Sequence, residues 1–523
     1  SAPVKRIHDV IDLRARQFPE DQGPLAHPVR PESFQEINNF YTATVYEKGA
    51  EVIRMLKTLV GDEAYARALD LYFERHDGQA CTIEDWLKVF EDTTGRNLAQ
   101  FKRWYSQAGT PRLSVTEDWD GSTLTLTFRQ DTKPSAASPD PKPQVIPIAT
   151  GLIGPDGTEM GETRILEMSE ATQSFSFDGL AARPVPSILR GFSAPVMLEH
   201  DLSDADRAHL LSHDTDPFNR WEAARMLARK ALMPMIHDGA DADPAYLAAI
   251  TTVLGDTSLD PAYRALMLGL PTQSELAALI HGEGGTPMPE NIHAGVERMR
   301  DAMADALGDA AQQIHAANLV TSPYDPGAEQ AGKRSLANAM LSLITRRDGG
   351  RAAQAQYDAA DNMTNQLAAL AALLHIGKGE KALAAFEAQW KDDRLVMDKW
   401  FGLQVQQAEP RDAADVAEDL TRHPDFNWKN PNRFRAVFGA LAMHHAGFHH
   451  ASGKAYRLLA DWLIRLDPKN PQTTARMCSA FQTWKRYDTD RQSLIAAELD
   501  RMLATPDLSR DTTEMLTRIR GAT

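Results

Sequence analysis

The spacing of apolar residues predicts a multidomain, mostly α-helical protein with one small β-sandwich set between two helical parts. Three observations carry this. Apolar side chains recur at helical spacing over residues 1–110, the period falls to two over 111–199, and helical spacing returns from 200 to 523. At about 150 residues per domain, 523 residues allow roughly three. A hydrophobic content of 43% with 24% charged residues suits a globular chain and excludes wholesale disorder. Fifty-six Lys and Arg against 72 Asp and Glu leave a formal charge of −16, which argues against a nucleic-acid surface built on clustered basic side chains. No apolar run approaches the ~20 residues of a membrane span, and no secretory leader is expected. Cys81 and Cys478 lack CxxC or CxxH neighbours and fit a reducing, cytoplasmic setting. The chain opens Ser1-Ala2-Pro3, as expected of a piece of something longer.

In the first zone, Val52, Ile53, Met55, Leu56 and Leu59 form the broad stripe of a buried helix, broken at Gly61-Asp62. A second helix follows over Glu63–Glu74. Thr82, three residues before Asp85, reads as a capping box for Ile83–Asp92, which Gly95 ends. Leu98 to Tyr105 forms another helix, stopped by Gly109-Thr110-Pro111. Leu113 and Val115, then Leu124, Leu126 and Phe128, alternate around Asp118-Trp119-Asp120-Gly121 as a hairpin. Further short strands are expected at Val145–Ile153, Phe175–Phe177 and Ser187–Phe192, with a Pro-rich loop at 133–143. From Ser203, Asp-Pro pairs at 216–217, 243–244, 260–261 and 467–468 read as helix openers, because Asp caps free amides and Pro has no amide to leave unpaired. Short links between these helices suggest an irregular α-helical solenoid without a strict repeat period.

The chemistry is sparser. None of the 16 histidines precedes a Glu, so the H-E-x-x-H zinc motif is absent. His445 and His449 lie one helical turn apart and could share a metal; without a nearby carboxylate or Cys, a solvated helix face is the preferred reading. Phosphate-binding glycine loops and the nucleophile elbow are also missing. One segment, Glu36 to Glu51, is polar and aromatic and runs into the buried helix. A Tyr there either presents a neutral O–H donor, since phenols ordinarily ionise near pH ~10, or packs as a core side chain with its hydroxyl satisfied.

The run Asn38-Asn39-Phe40-Tyr41, followed by Thr44-Val45-Tyr46-Glu47-Lys48-Gly49-Ala50-Glu51-Val52-Ile53-Arg54-Met55, resembles the block around the catalytic tyrosine in bacterial members of the aminopeptidase N family of zinc metallopeptidases. Tyr72 to Gly78, Arg103 to Pro111, Asn362-Met363-Thr364, Val396 to Phe401, Asn430-Pro431-Asn432-Arg433 and Asn470-Pro471-Gln472 are similar too. The resemblance implies that residues 1–110 are the C-terminal portion of a thermolysin-like catalytic domain, 111–199 a β-sandwich domain and 200–523 an α-helical superhelical domain. It also implies a zinc-dependent peptidase acting on peptide N-termini, with the zinc ligands and the amine-binding loop in a part not present here. On this reading the isolated chain is inactive and binds no zinc of its own. Tyr46 would supply the catalytic oxyanion donor, and Asn38, Tyr41 and Glu47 would line the side-chain pocket. Arg435, Gln472 and Arg476 would face the cavity and hold peptide carboxylates, although the arginines could equally be structural salt bridges. The implied partners are peptides and the missing N-terminal fragment, without nucleic acid or membrane. A non-enzymatic helical-repeat module binding peptide or protein is the alternative. Val52, Leu56, Trp86, Phe90 and Trp104 lie on faces patterned for burial, so residues 1–110 are expected to be loosely ordered, self-associated or covered by that fragment.

Overall fold

The computed structural model describes residues 1–34 and 36–521. Two compact units emerge, Lys5–Ala223 and Ser1–Val4 with Ala224–Thr523.

Helix α1 (Ala2–Asp12), which belongs to the first unit from Lys5 on, continues through a π-helical turn, Leu13–Gln17, into α2 (Phe18–Asp21). A second π turn, Thr44–Lys48, leads directly into α3 (Gly49–Val60). Gly61, with φ +81°, then turns the chain into α4 (Asp62–His76). The capping box is present as expected: Thr82 accepts from the Asp85 amide at the start of α5 (Ile83–Thr94), and Gly95 closes that helix in a left-handed conformation. The short α6 (Arg103–Ser106) follows.

Seven strands come next: β1 (Arg112–Trp119), β2 (Leu124–Asp131), β3 (Ile146–Ile153), β4 (Arg164–Met168), β5 (Thr172–Phe177), β6 (Val185–Ile188) and β7 (Met197–His200). One sheet has the order β5-β2-β1-β7 and the other β4-β3-β6. The expected hairpin pairs Val115 with Phe128, and the Asp120 carboxylate holds its turn by accepting from the Ser122 and Thr123 amides. β7 runs parallel to β1. β3 is buried along its whole length, which is why its apolar run lacks the alternation of β1 and β2.

The helices and strands share one core. Val52, Leu56, Phe90 and Trp104 lie in a single cluster with Leu113, Phe128, Ile146 and Leu166. Trp104 Nε1 also donates to the Val145 carbonyl at 2.7 Å. This corrects the expectation that these helical faces need cover from beyond the chain. The sandwich covers them, at ~1.5–3 kcal/mol for each large side chain removed from water. Trp86 is only partly buried against the same cluster. The large apolar side chains left exposed in residues 1–110 are Phe34, Ile37, Tyr41, Tyr46, Ile53 and Phe73.

The second unit is helical throughout, ending with Arg510–Arg520. Asp243 and Asp260 cap their helices with Pro in the first turn, as read from the sequence. Asp467-Pro468 does not open a helix. The buried Asp467 carboxylate is taken by the Ser509 amide (2.7 Å), the Ser509 hydroxyl (2.6 Å) and the Thr512 hydroxyl (2.5 Å). Asn470-Pro471 opens the helix instead. Successive helices pack on their neighbours, as a solenoid requires. A long-range contact is added where Gln273–Gly282 and Pro289–Leu307 meet the short helix His445–Phe448. No helix among the described residues is long and apolar enough to cross a membrane.

Candidate functional site

The π turn Thr44–Lys48 is held at both ends. At its start, the Glu20 carboxylate accepts from the Thr44 amide (2.8 Å) and hydroxyl (2.6 Å). Gln17 Nε2 donates to the same hydroxyl at 3.3 Å. At its end, the Lys48 ammonium, 1% exposed, donates to Asp21 (2.7 Å) and to the Gly109 carbonyl (3.0 Å). Asp21 is equally buried and accepts from the Gly109 amide and the Thr110 hydroxyl as well. Burial alone would raise its pKa, but the Lys48 charge and these hydrogen bonds outweigh that and hold the carboxyl below its ordinary range. Ahead of the turn, Thr42 Oγ1 accepts from the Val45 amide and meets His27 Nε2 at 2.7 Å.

Tyr46 sits midway along this pinned turn with its ring 61% exposed. The core reading of this tyrosine is therefore excluded. Tyr41, 51% exposed, lies beside it, with ring centroids 6.4 Å apart. Glu47 is half-buried and pairs with Arg16 at 3.1 Å. Asn38, in the 3₁₀ turn Ile37–Phe40, donates from its side chain to Glu36 at 3.1 Å. The structure thus brings Tyr41, Tyr46 and Glu47 together on one short stretch, with Asn38 on the turn leading into it. An open cleft of about 530 Å³, lined by Ile53, Tyr72, Ile83 and Trp86, lies in the same unit but does not include Tyr46.

In the helical unit, Arg435 is exposed and bonds within its own segment, to Asn432 Oδ1 (2.7 Å) and the Pro431 carbonyl (3.2 Å). It is not an interhelical salt bridge. That role belongs to buried Arg433, which pairs with Asp398 at 2.5 Å. Gln472 and Arg476 share one face of Pro471–Cys478, one helical turn apart, with Arg476 exposed. Arg435 belongs to a separate helical segment.

The histidine pair departs from the sequence reading. His445 and His449 are 9% and 5% exposed, not a solvated face. His445 Nε2 meets the Tyr487 hydroxyl at 3.0 Å, and His449 Nδ1 meets the Tyr456 hydroxyl at 2.9 Å. The His449 ring stacks on Tyr487, with centroids 4.0 Å apart. Burial, reinforced by the charges of His444, Arg486 and Arg491, pushes the His445 pKa down to about 3. Burial, with His445 and the same two arginines, holds His449 well below its ordinary value. No group of three or more His, Cys, Asp or Glu among the described residues could hold a metal ion.

Sequence reasoning passed over Glu20, Asp21 and Lys48. One signal was available: Lys48 continues the buried stripe of Val52, Met55 and Leu59, where an unpaired ammonium would be costly.

Three family descriptions match the chain. They are a peptidase family M1 domain over residues 5–105, a domain of unknown function (DUF3458) with an Ig-like fold over 109–201, and a domain of unknown function (DUF3458_C) of ARM repeats over 204–521. Aminopeptidase N of Caulobacter vibrioides is 41% identical over 99% of this chain, and that of Haemophilus influenzae 37% over 99%; the chain spans 61% of the length of each. A crystal structure of Legionella pneumophila aminopeptidase A in complex with aspartic acid is similar in fold. Its TM-score is 0.86 at 28% identity, over 95% of this chain and 59% of that one.

Proposed function

Since the chain belongs to the peptidase M1 family, as a C-terminal part of a bacterial aminopeptidase N with its DUF3458 domains, we propose that the whole protein removes N-terminal residues from peptides by hydrolysis. The observation that carries this reading is the exposed Tyr46 on its pinned turn. A fixed hydroxyl donor suits an oxyanion developing on a tetrahedral carbon, because a donor held in place needs no reorganisation when charge appears. Asn38, Tyr41 and Glu47 line the pocket for the substrate's first side chain. Arg435, Gln472 and Arg476 hold the carboxylate end of short peptides.

Zinc is the metal that the family implies, and the described residues do not fit it, since they offer no ligand group. Its ligands and the amine-binding loop then belong to a part of the protein outside this chain. That part docks on the exposed apolar side chains Phe34, Ile37, Ile53 and Phe73. The isolated chain is then inactive and free of stoichiometric zinc. Cys81 and Cys478, both unpaired, agree with a cytoplasmic setting. Relatives named as aminopeptidases over 99% of the chain do not favour a non-enzymatic binding module.

The test is Tyr46→Phe in the full-length protein, with a kcat loss of ~100–1,000-fold and a smaller change in substrate binding. Retention of more than about half of kcat on that scale overturns the assignment. For the chain alone, aminoacyl anilide hydrolysis should be absent until the remainder of the protein is added.

A further inference from the structure

Two neighbouring carboxylates hold opposite ends of the turn that carries Tyr46. Glu20 binds the first residue of the turn, Thr44, through both amide and hydroxyl. Asp21 binds the last, Lys48, through a fully buried ammonium. A π turn places one extra residue in a helical repeat and is less favourable than the α-helix it interrupts. Left alone, Thr44–Lys48 would relax toward α-helical geometry and rotate Tyr46 about the axis of α3. A buried ion pair is a poor source of stability, since its desolvation offsets much of its attraction, but it fixes register. The Asp21–Lys48 pair also ties the turn to Gly109 and Thr110, at the entrance of the sandwich.

We infer that Glu20 and Asp21 are positioning residues, clamping the π turn Thr44–Lys48 so that the Tyr46 hydroxyl is presented in one orientation. This rests on the reading of Tyr46 as the oxyanion donor. Glu20 touches no reacting atom; it acts through Thr44. Glu20 is the better probe because it is only half-buried, so its removal leaves no buried charge unpaired.

The experiment uses the full-length protein in five forms: wild type, Glu20→Ala, Glu20→Gln, Tyr46→Phe and the Glu20→Ala/Tyr46→Phe double variant. Glu20→Ala should lower kcat by ~10–100-fold, the scale of an ångström-sized misplacement, with KM within about twofold. Glu20→Gln keeps an oxygen that accepts from the Thr44 amide and hydroxyl, and should recover most of kcat. The double variant should be no slower than Tyr46→Phe within about twofold, because a clamp has nothing to position once the hydroxyl is gone. Thr44→Val removes only the hydroxyl contact and serves if Glu20→Ala fails to fold; it should lower kcat in the same way by a smaller factor. If Tyr46→Phe keeps its kcat, the oxyanion reading fails, and the clamp with it. If Tyr46→Phe falls but Glu20→Ala and Thr44→Val do not, the clamp alone is overturned. A double variant showing the product of the two single losses overturns it as well.

Discussion

The turn around Tyr46 and the cluster around His445 use the same kinds of side chain and make opposite use of them. Both are short, polar, aromatic-rich segments at helix junctions. In the first, the rings of Tyr41 and Tyr46 face solvent while the charged groups beneath, Lys48 and Asp21, are buried and paired. In the second, Tyr456, Tyr487, His445 and His449 are all buried, with His445 Nε2 and His449 Nδ1 meeting the two tyrosine hydroxyls. The first leaves the Tyr46 side chain open to solvent. The second keeps these hydrogen bonds within residues 445–487, where the short helix His445–Phe448 also packs on helices of residues 273–307. Residue type did not separate the open segment from the closed one; burial did.

Acid should separate them most. Both histidines are held neutral in the fold, with pKa values below the ordinary ~6.5. Their contribution to stability is therefore complete above that value and is lost as pH falls through it toward the folded-state values. By pH 5 the loss is about 2 kcal/mol for His445, and His449 adds to it in the same direction. Urea unfolding at pH 7.5 and 5.0 measures it, and His445→Gln should remove about that much of the dependence. The Tyr46 turn has no such histidine pair; its Asp21, with a lowered pKa, contributes stability that is lost only as pH falls below the ordinary carboxylate range toward the folded value.

The next contrast is between tyrosines. Tyr46→Phe should cost about 3–4 kcal/mol in transition-state stabilisation with little change in melting temperature. Tyr487→Phe should leave kcat of the full-length protein nearly unchanged and cost about 1–3 kcal/mol of stability, because His445 Nε2 loses its partner in a buried site. Equal effects of the two substitutions on both readouts would break the comparison.

Much of this architecture was legible. Helical period, capping box and hairpin turn are local signals, and each was found where Thr82, Asp85 and Asp120 indicated. β4 and β7 were missed because both are short: in Arg164–Met168 the exposed Ile165 masks the alternation of Leu166 and Met168, and Met197–His200 has no regular in-out pattern. The histidines were misjudged because what covers them, Tyr456, Tyr487 and helices as distant as residues 273–307, leaves no mark on their own local spacing. Tyr46 was reached through resemblance and not through spacing. The clamp beneath it was not reached, since nothing in Glu20-Asp21 signals that the pair faces a turn more than twenty residues on.

The smallest effects should come from the arginines. Arg435→Ala and Arg476→Ala should shift stability by less than about 0.5 kcal/mol, since both are exposed and Arg435 bonds only within its own segment. On the proposed function they raise KM for short peptides more than for aminoacyl anilides, which lack the carboxylate. Arg433→Ala, two residues from Arg435, should cost about 2 kcal/mol through the loss of Asp398's partner. Thermal melts of the three variants would show whether exposure sorts these neighbours as it sorts the tyrosines.

The parallel pairing of β7 with β1 bears on modularity. Met197 lies beside Arg112 and His200 beside Val115, so the chain enters this strand pair at one end and leaves it at the other, as a bead strung in series does. Its inner wall argues the other way. Trp104, Phe90 and Leu56 belong to the same packed cluster as Ile146 and Leu166, so excision at residue 110 would leave two raw apolar faces. The sandwich has the entrances of a transferable domain and the interior of a permanent one, and it travels only together with the helices that precede it.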